Sequence, residues 1–428
     1  MTLTLLLAIL LGFLLSGLWI PFALGITGLV VLYLAGHAAS LASVASIGWN
    51  TMENFVLTSV PLFLLMGELI LRSGLSSRFY RGVAVWVSGV KGELLHSNVV
   101  ASAIFSAVCG SSAATAAAIG TVAIPEMRER GYAPRMIYGT IAAGGALGNL
   151  IPPGIATIIY GAMVEQSVAK LFIACIIPGA MVTAIFLLYI WVAVHLRPEL
   201  VPPGAPRPTL AERWSALVDI FPVVALMVAV LGSLWFGIAT PTESAAVGAS
   251  GAVLLACLYR RLTWAALRDS LVNTVRITCM VLFIILGAQI LSFAFVRTGI
   301  NRQVSEGVVA LDLSRWALFA VITILYIILG MLVDGISMMV LTLPVLYPVI
   351  LNAGFDPIWF GVVLVTLIEL GQITPPVGLV LFVIQGISRA PMNEVARGAL
   401  PFMFLFLVSI VLMAVFPQMA TWLPSLMR

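Results

Sequence analysis

Two short polar motifs interrupt apolar stretches of this chain, and each contains a double proline. The first is GNLIPPG at 148–154, and the second is GQITPPVG at 371–378. Proline has no backbone N–H, so it breaks the hydrogen-bond ladder of a helix. The carbonyl groups freed there are hard oxygen donors of the kind that bind Na⁺. The N–H groups at the start of the next half-helix suit a carboxylate, because they carry the positive end of the helix dipole.

Two further polar interruptions are CGSSAAT at 109–115 and VDGIS at 333–337. Each lies in the middle of an apolar region, at about 93–127 and 315–350. The arms on either side are only about 12 to 17 residues long, which is short for a full membrane crossing. The pattern therefore predicts two re-entrant helical hairpins with polar tips.

We expect each tip to meet one of the double-proline breaks and to form a cation site there. The first candidate site combines Ser111, Ser112 and Thr115 with Gly148, Asn149 and Pro152. The second combines Asp334, Gly335 and Ser337 with Gly371, Gln372, Thr374 and Pro375. Of these residues, we assign Na⁺ to Ser111, Gly148, Pro152, Asp334, Gly335, Gly371 and Pro375. We assign the substrate to Ser112, Thr115, Asn149, Ser337, Gln372 and Thr374.

Other roles for these residues stay open at this point. Small and hydroxyl residues also permit close helix packing in membranes. Asp334 is an ionisable residue inside an apolar hairpin, so it either binds a cation or caps the returning half-helix. Glu369, just before the second break, either joins the site, pairs with an arginine or holds the helix junction.

The motifs belong to a repeat within the chain, at a fixed offset of 223 residues. The matching positions are Pro125, Gly131, Pro134, Gly148, Pro152 and Pro153 in the first half, and Pro348, Gly354, Pro357, Gly371, Pro375 and Pro376 in the second. Two broken helices at matching positions of two halves indicate a binding site near the middle of a membrane transporter.

Composition supports a membrane protein with many spans. The chain has 428 residues, of which 62% are hydrophobic and 9% are charged. The net charge of +4 is explained by loop arginines, so it does not indicate nucleic-acid binding. Among the cysteines and histidines we predict neither a disulfide framework nor a metal site.

We predict about nine full spans and two hairpins, with the N-terminus in the cytoplasm. The spans lie at about 3–34, 54–72, 135–160, 171–195, 217–236, 243–259, 274–296, 357–386 and 400–423. Pro21 leaves the first of them as one kinked helix or two short ones. This topology puts sixteen Lys and Arg residues in cytoplasmic loops and five on the other face. It also makes the two repeats inverted, and it leaves no cationic side chain near the tips.

The run PEMRERGYAPRMIYGTIAAGGALGNLIPPGIATIIYG at 125–161 resembles the large (M, DctM-like) membrane subunit of tripartite ATP-independent periplasmic (TRAP) transporters. The segments GMLVDGISMMVLTLPVLYPVI and GQITPPVG strengthen the resemblance, which covers essentially the whole chain. One departure is glycine at position 154, where the family leads us to expect a small hydroxyl residue. A side-chain ligand is therefore not predicted there.

The resemblance implies an all-α polytopic membrane protein, namely an inverted-repeat elevator-type transporter with two re-entrant hairpins and two broken helices. The transport domain would comprise 93–161 and 315–388. Scaffold helices would comprise 1–92, 162–273 (with a cytoplasmic linker at 197–215) and 274–314, and a C-terminal helix would occupy 389–428. The implied partners are a small four-helix membrane subunit and a periplasmic solute-binding protein. The implied activity is uptake of an organic acid driven by Na⁺, with two Na⁺ sites, in the inner membrane of a bacterium or archaeon.

Three alternatives remain at this stage. A stand-alone Na⁺- or H⁺-coupled anion carrier would share the architecture without needing a binding protein. A membrane-embedded enzyme would be expected to cluster Asp, His or Arg at the membrane face, and the sequence has no such cluster. A channel agrees less well with paired broken helices than a gated site does.

Overall fold

The computed structural model describes residues 3–202 and 208–427, and within these ranges it contains twenty α-helices and no strand. Residues 203–207 of the expected linker lie outside the described residues. In chain order the helices are α1 (Leu3–Leu15), α2 (Ile20–Leu34), α3 (Val44–Met52), α4 (Ser59–Arg72), α5 (Leu75–Val87), α6 (Glu93–Cys109), α7 (Ser112–Glu129), α8 (Pro134–Gly145), α9 (Ile155–Met163) and α10 (Val168–Leu196). The second half contains α11 (Leu210–Trp235), α12 (Pro241–Leu258), α13 (Trp264–Thr298), α14 (Ile300–Ala310), α15 (Arg315–Gly330), α16 (Gly335–Asn352), α17 (Pro357–Gln372), α18 (Leu379–Ser388), α19 (Met392–Val415) and α20 (Gln418–Ser425).

Seven helical segments of the described chain are long and apolar enough to cross a membrane. They are Phe55–Arg72, Val168–Leu196, Leu210–Trp235, Pro241–Leu258, Trp264–Thr298, Gly335–Asn352 and Met392–Val415. The all-helical fold and the membrane class predicted from composition are therefore confirmed.

Both predicted hairpins are present as pairs of helices with short tips, but their re-entry stays a prediction, because one arm, α16, is itself long and apolar enough to cross a membrane. In hairpin 1, α6 and α7 are joined by Gly110 and Ser111, and in hairpin 2, α15 and α16 are joined by residues 331–334. The arms have 16 to 18 residues, at the upper end of the predicted range or just above it. In α7 the excess arises because the helix continues beyond the apolar stretch into its charged last turn, where Arg130 Nη2 donates to Glu126 Oε1 at 2.5 Å.

Both predicted breaks are also present. The first separates α8 from α9 and spans 146–154, and the second separates α17 from α18 and spans 373–378. Each break contains one cis peptide bond, at Pro152–Pro153 and Pro375–Pro376. The helix α17 ends three residues before Pro375, whereas α8 already ends at Gly145, seven residues before Pro152.

The two repeats run in opposite directions. The first helix of repeat 1, α4, lies antiparallel to α13, because Glu68 contacts Asn273 while Arg72, one turn later, approaches Asp269. The broken helices are also antiparallel, because Tyr160, near the end of α9, donates to the carbonyl of Pro357 at the start of α17 (2.7 Å). The inverted relationship expected from the topology is thus confirmed.

The first apolar stretch does not form a single span. It consists of two helices of 13 and 15 residues, each too short to cross a membrane. The second, α2, runs parallel to the last part of α13, with Pro21 against Gly287 and Gly28 against Leu291. The first, α1, packs on α2 and reaches α14, which directly follows α13. The first stretch is therefore two short helices and not one kinked span, and the cytoplasmic position of the N-terminus stays a prediction.

Three smaller differences concern the predicted loops and the last span. Helices α5 and α14 occur in segments that we expected to be loops. The last span begins at Met392 and ends at Val415, and a short helix α20 follows it, whereas we predicted one helix over 400–423. The hydropathy of the sequence places the start of α19 too late, because the charged residues Glu394 and Arg397 lie in its first two turns.

Outside the two hairpins and the two broken helices, six further helices pack into a group that we call the frame, namely α2, α3, α4, α11, α12 and α13. A polar cluster around the buried Glu68 joins two of its members. Glu68 accepts hydrogen bonds from Arg72 Nε at 2.9 Å and from Asn273 Nδ2. A hydrogen bond to a charged group contributes more than a neutral one, so this cluster fixes α4 against α13.

We expect Glu68→Ala to destabilise the frame. The substitution leaves Arg72 and Asn273 without their shared acceptor, at a cost of about 2 kcal/mol. The Tm of the purified protein in detergent should fall by at least about 3 °C. The control is Glu306→Ala, because the Arg302–Glu306 pair is exposed and should contribute little. Equal Tm values for the two variants would contradict this account of the cluster.

Candidate functional site

The last turn of α17, residues 369–372, is the place where the two hairpin tips and the second break meet. Ser112, at the start of the returning arm of hairpin 1, donates to Glu369 Oε2 at 2.6 Å. Gly335, at the start of the returning arm of hairpin 2, packs against Ile368 and Gln372. The predicted convergence of the tips beside the broken helices is therefore present in the fold.

The first tip lies directly on the first break. Gly148 packs so closely on the backbone of Ser112 that a Cβ atom at position 148 would be 2.4 Å from the Ser112 N and Cα atoms. Asn149 Nδ2 donates to Ser112 Oγ at 2.9 Å, and the backbone N–H of Ile155 donates to the carbonyl of Gly110 at 3.2 Å. The residues of the first candidate site are thus brought together as the sequence predicted.

Glu369 connects this first tip to the second repeat. Besides the Ser112 hydroxyl, its carboxyl group accepts from Asn149 Nδ2 at 2.7 Å and, more weakly, from Gln372 Nε2 at 3.4 Å. The side chain is fully buried, and no ion pair found within 3–202 and 208–427 involves it. Of the three roles left open for Glu369, pairing with an arginine is therefore wrong, and membership of the site is what the contacts favour.

In the second candidate site, Asp334 caps the returning half-helix. Its Oδ2 atom accepts from the backbone N–H of Ser337 at 3.1 Å, so the capping alternative is realised. Thr374 donates to the carbonyl of Leu370 at 2.7 Å, which closes the end of α17. Gly371 lies against Gly330 of the first arm. These contacts gather the predicted residues, while a cation-binding role for Asp334 stays a prediction.

Two hydroxyl groups near the tips have no protein partner, although they are buried. They are Thr115 Oγ1, one turn into α7, and Ser337 Oγ, one turn into α16. Buried polar atoms are nearly always hydrogen-bonded, so an orphaned pair near two tips is suited to a ligand. Of the other predicted residues, Pro152 is buried, and Ser111 and Pro375 are half-buried.

Two of the four half-helices that start at the tips and breaks have no side-chain cap, and their N-cap residues are Ser111 for α7 and Gly378 for α18. Such termini present backbone N–H groups and the positive end of the helix dipole, which favour an anion. At the start of α9, the N–H groups of Ile155 and Ala156 already donate to the Gly110 carbonyl and to Asn149 Oδ1. Asp334 supplies its own carboxylate at the fourth terminus.

The glycine at 154 has a steric reason. A Cβ atom there would lie 2.1 Å from the carbonyl oxygen of Asn149, closer than any real contact. The expected hydroxyl residue would therefore clash with this backbone. The conformation of the first break thus explains why glycine stands at position 154.

One cationic side chain lies nearer the tips than we predicted. Arg276 is well inside α13, which begins at Trp264, and it lines a cavity of about 990 Å³ together with Asp334 and Ser337. The rest of the wall is largely apolar and comes from the α1–α2 turn, Met52 and α13. Arg276 thus lies within a helix and not in the loop to which we assigned it, because the charged start of α13 continues the preceding loop in sequence. Its place at the end of a membrane span stays a prediction.

The site is suited to an alkali cation and a carboxylate, and its donors are hydroxyls, amides and backbone groups. The described residues contain no group of three or more His, Cys, Asp or Glu side chains that could hold a metal ion. Sequence reasoning included every residue of the site except Glu369, which it left undecided. The sequence signal that could have identified Glu369 as a site residue was its carboxylate inside an apolar helix.

Comparisons with known proteins agree with this architecture. The family described as "Tripartite ATP-independent periplasmic transporter, DctM component" matches residues 7–419. The C4-dicarboxylate TRAP transporter large permease protein DctM of Pseudomonas aeruginosa is 32% identical over 94% of each chain. The 2,3-diketo-L-gulonate TRAP transporter large permease protein YiaN of Escherichia coli is 34% identical over 86% of each chain.

A solved structure shares the fold at low sequence identity. The crystal structure of the YdaH transporter of Alcanivorax borkumensis superposes with a TM-score of 0.60, covers 90% of this chain and 89% of its own, and is 14% identical. The family match spans almost the entire chain, and relatives of this kind are transporter permeases, not enzymes. The chain therefore belongs to the DctM component family of tripartite ATP-independent periplasmic transporters.

Proposed function

We propose that this protein takes up an organic acid, delivered by a periplasmic solute-binding protein, and that a Na⁺ gradient drives the uptake. The observation that carries the proposal is the convergence of both hairpin tips on the last turn of α17. Family membership supports the tripartite assembly, with a small four-helix membrane subunit and the inner membrane as location. Both reported relatives are named for carboxylates, which supports an acid as substrate.

The chemistry of the site supports the two ligand classes. The uncapped half-helix N-termini at Ser111 and Gly378 would bind the substrate carboxylate, and the free hydroxyls of Thr115 and Ser337 would orient it. Two Na⁺ ions would be held by carbonyl and hydroxyl oxygens at the two tip–break junctions. Binding of these cations would offset the repulsion between the acid and the carboxylates of Asp334 and Glu369.

The proposed mechanism is of the elevator type. The hairpins and broken helices pack together and would move as one body, while the frame would stay in place. The cavity between the α13 wall and the tip of hairpin 2 supports this division, because it separates moving from fixed elements. On this wall, Arg276 would attract an anion as it leaves the site.

The proposal is tested by organic-acid uptake into proteoliposomes that contain this chain and its small subunit. Uptake of a C4-dicarboxylate and of a sugar acid is compared with and without the binding protein, under an inward Na⁺ or K⁺ gradient. We expect uptake only with Na⁺ and the binding protein. Uptake without the binding protein would favour a stand-alone carrier, and uptake that is independent of every cation gradient would refute coupling.

A further inference from the structure

Glu369 is the acidic residue that touches both candidate sites. It lies one turn before the second break, yet its strongest contacts go to the first repeat, through Ser112 at 2.6 Å and Asn149 at 2.7 Å. Gln372, which belongs to the second site, donates to the same carboxyl group at 3.4 Å. Glu369 therefore joins the two repeats at the point where both tips converge.

The surroundings of Glu369 supply hydrogen bonds and no positive charge. Both carboxyl oxygens accept bonds from neutral groups, and the amide of Asn149 is held in this orientation because its Oδ1 atom accepts from the N–H of Ala156 at 3.4 Å. Within the described residues, the ion pairs involve Arg72, Arg78, Arg130 and Arg302, none of which pairs with Glu369. A buried carboxylate without a cationic partner is costly, so a cation bound nearby would stabilise it.

The internal repeat shows which half of the chain supplies this carboxyl group. The position equivalent to Glu369 in repeat 1 is Ala146, so only one of the two repeats carries the acid. Its side chain crosses to the first tip, whose own predicted cation ligands, Ser111, Gly148 and Pro152, are all uncharged. The carboxyl group at the first candidate site thus comes from the other repeat.

We infer that Glu369 is a positioning residue that makes the first site favour a cation and that fixes hairpin 1 to the second repeat. The inference rests on the proposed Na⁺ coupling and extends it, because it names the source of the charge. It acts through Ser112 and Asn149, so the carboxylate itself need not contact the ion. Cation binding at the first tip then alters the same hydrogen bonds that reach Gln372 in the second site.

The experiment measures how Na⁺ stabilises the purified chain with its small subunit against heat, with K⁺ at equal ionic strength as reference. The variants are Glu369→Gln and, as a matched control, Glu68→Gln, which replaces a buried glutamate of the frame in the same way. We expect the Na⁺ concentration for half-maximal stabilisation to rise at least tenfold in Glu369→Gln and to stay unchanged in Glu68→Gln. A merely structural role would lower the Tm without changing the discrimination between Na⁺ and K⁺.

If Glu369→Gln does not fold, the pair Glu369→Asp and Glu369→Asn separates charge from packing, because these side chains have equal length. The aspartate variant should discriminate between Na⁺ and K⁺, and the asparagine variant should not. Wild-type Na⁺ dependence in a folded neutral variant would overturn the inference and leave the proposed function intact. If the wild-type protein itself responds equally to Na⁺ and K⁺, the proposed coupling fails, and the inference fails with it.

Discussion

Replacing Asn149 with alanine is expected to lower the rate of Na⁺-driven uptake at least tenfold, which corresponds to about 1.4 kcal/mol. The amide donates to Ser112 and Glu369 and accepts from Ala156, so its removal disconnects the first tip, the first break and the second repeat at once. A buried carboxylate that loses a donor costs more than an average hydrogen bond. The initial rate of uptake into proteoliposomes measures the effect.

The matched control is Asn98→Ala in α6. Asn98 is also fully buried in hairpin 1, where it donates to Thr140 at 2.9 Å and accepts from Tyr80 at 2.8 Å. Its loss would leave Thr140 and Tyr80 without this partner and should therefore lower the Tm. Uptake by the folded fraction should nevertheless keep its wild-type dependence on Na⁺. If the two variants behave alike in their Na⁺ dependence, Asn149 has no special role in the site.

Gly148→Ala is expected to reduce uptake to below about 10% of the wild-type rate, because the new methyl group cannot be accommodated. It would lie 2.4 Å from the backbone of Ser112, and a backbone atom cannot rotate away as a side chain can. The tip of hairpin 1 would have to move off the break, which separates Ser112 from its partners. Uptake is measured together with the Tm, so that loss of folding is distinguished from loss of the site.

Gly386→Ala provides the comparison for this prediction. Gly386 lies in the last turn of α18, the half-helix that follows the second break, and no neighbouring atom is within 4 Å of the position its Cβ would occupy. Because alanine favours a helix by about 1 kcal/mol over glycine, this variant should be as stable as the wild type or more so, with normal uptake. Normal uptake by Gly148→Ala would show that the tip and the break can separate without loss of transport.

Much of the site could be predicted because its residues carry local signals. The double prolines fix the breaks whatever surrounds them, and the polar tips Ser111–Ser112 and Asp334–Ser337 are conspicuous inside apolar arms. The repeat offset then pairs the tips with the breaks. Glycines at 148 and 335 agree with close packing at these junctions, which the structure bears out.

Other features depend on contacts between distant parts of the chain, and the sequence does not encode their partners. The role of Glu369 depends on Ser112, which is 257 residues away along the chain. The cap made by Asp334 could be named as an alternative but not selected, since one carboxylate serves either role. Arg276 resembled a loop residue because hydropathy falls at the start of α13, although the helix itself begins twelve residues earlier.

The sequence by itself determined the membrane class, the inverted repeat, both hairpins and both breaks, because composition, proline and residue spacing act locally. Tertiary structure alone decided that α1 packs back on α2, that Arg276 lines a cavity together with Asp334, and that both tips meet at the last turn of α17. These outcomes are set by which surfaces pack together, and packing is a property of pairs of elements. A single helix carries its pattern of residues in its own sequence, whereas the neighbour that completes a buried site is chosen only when the whole chain folds.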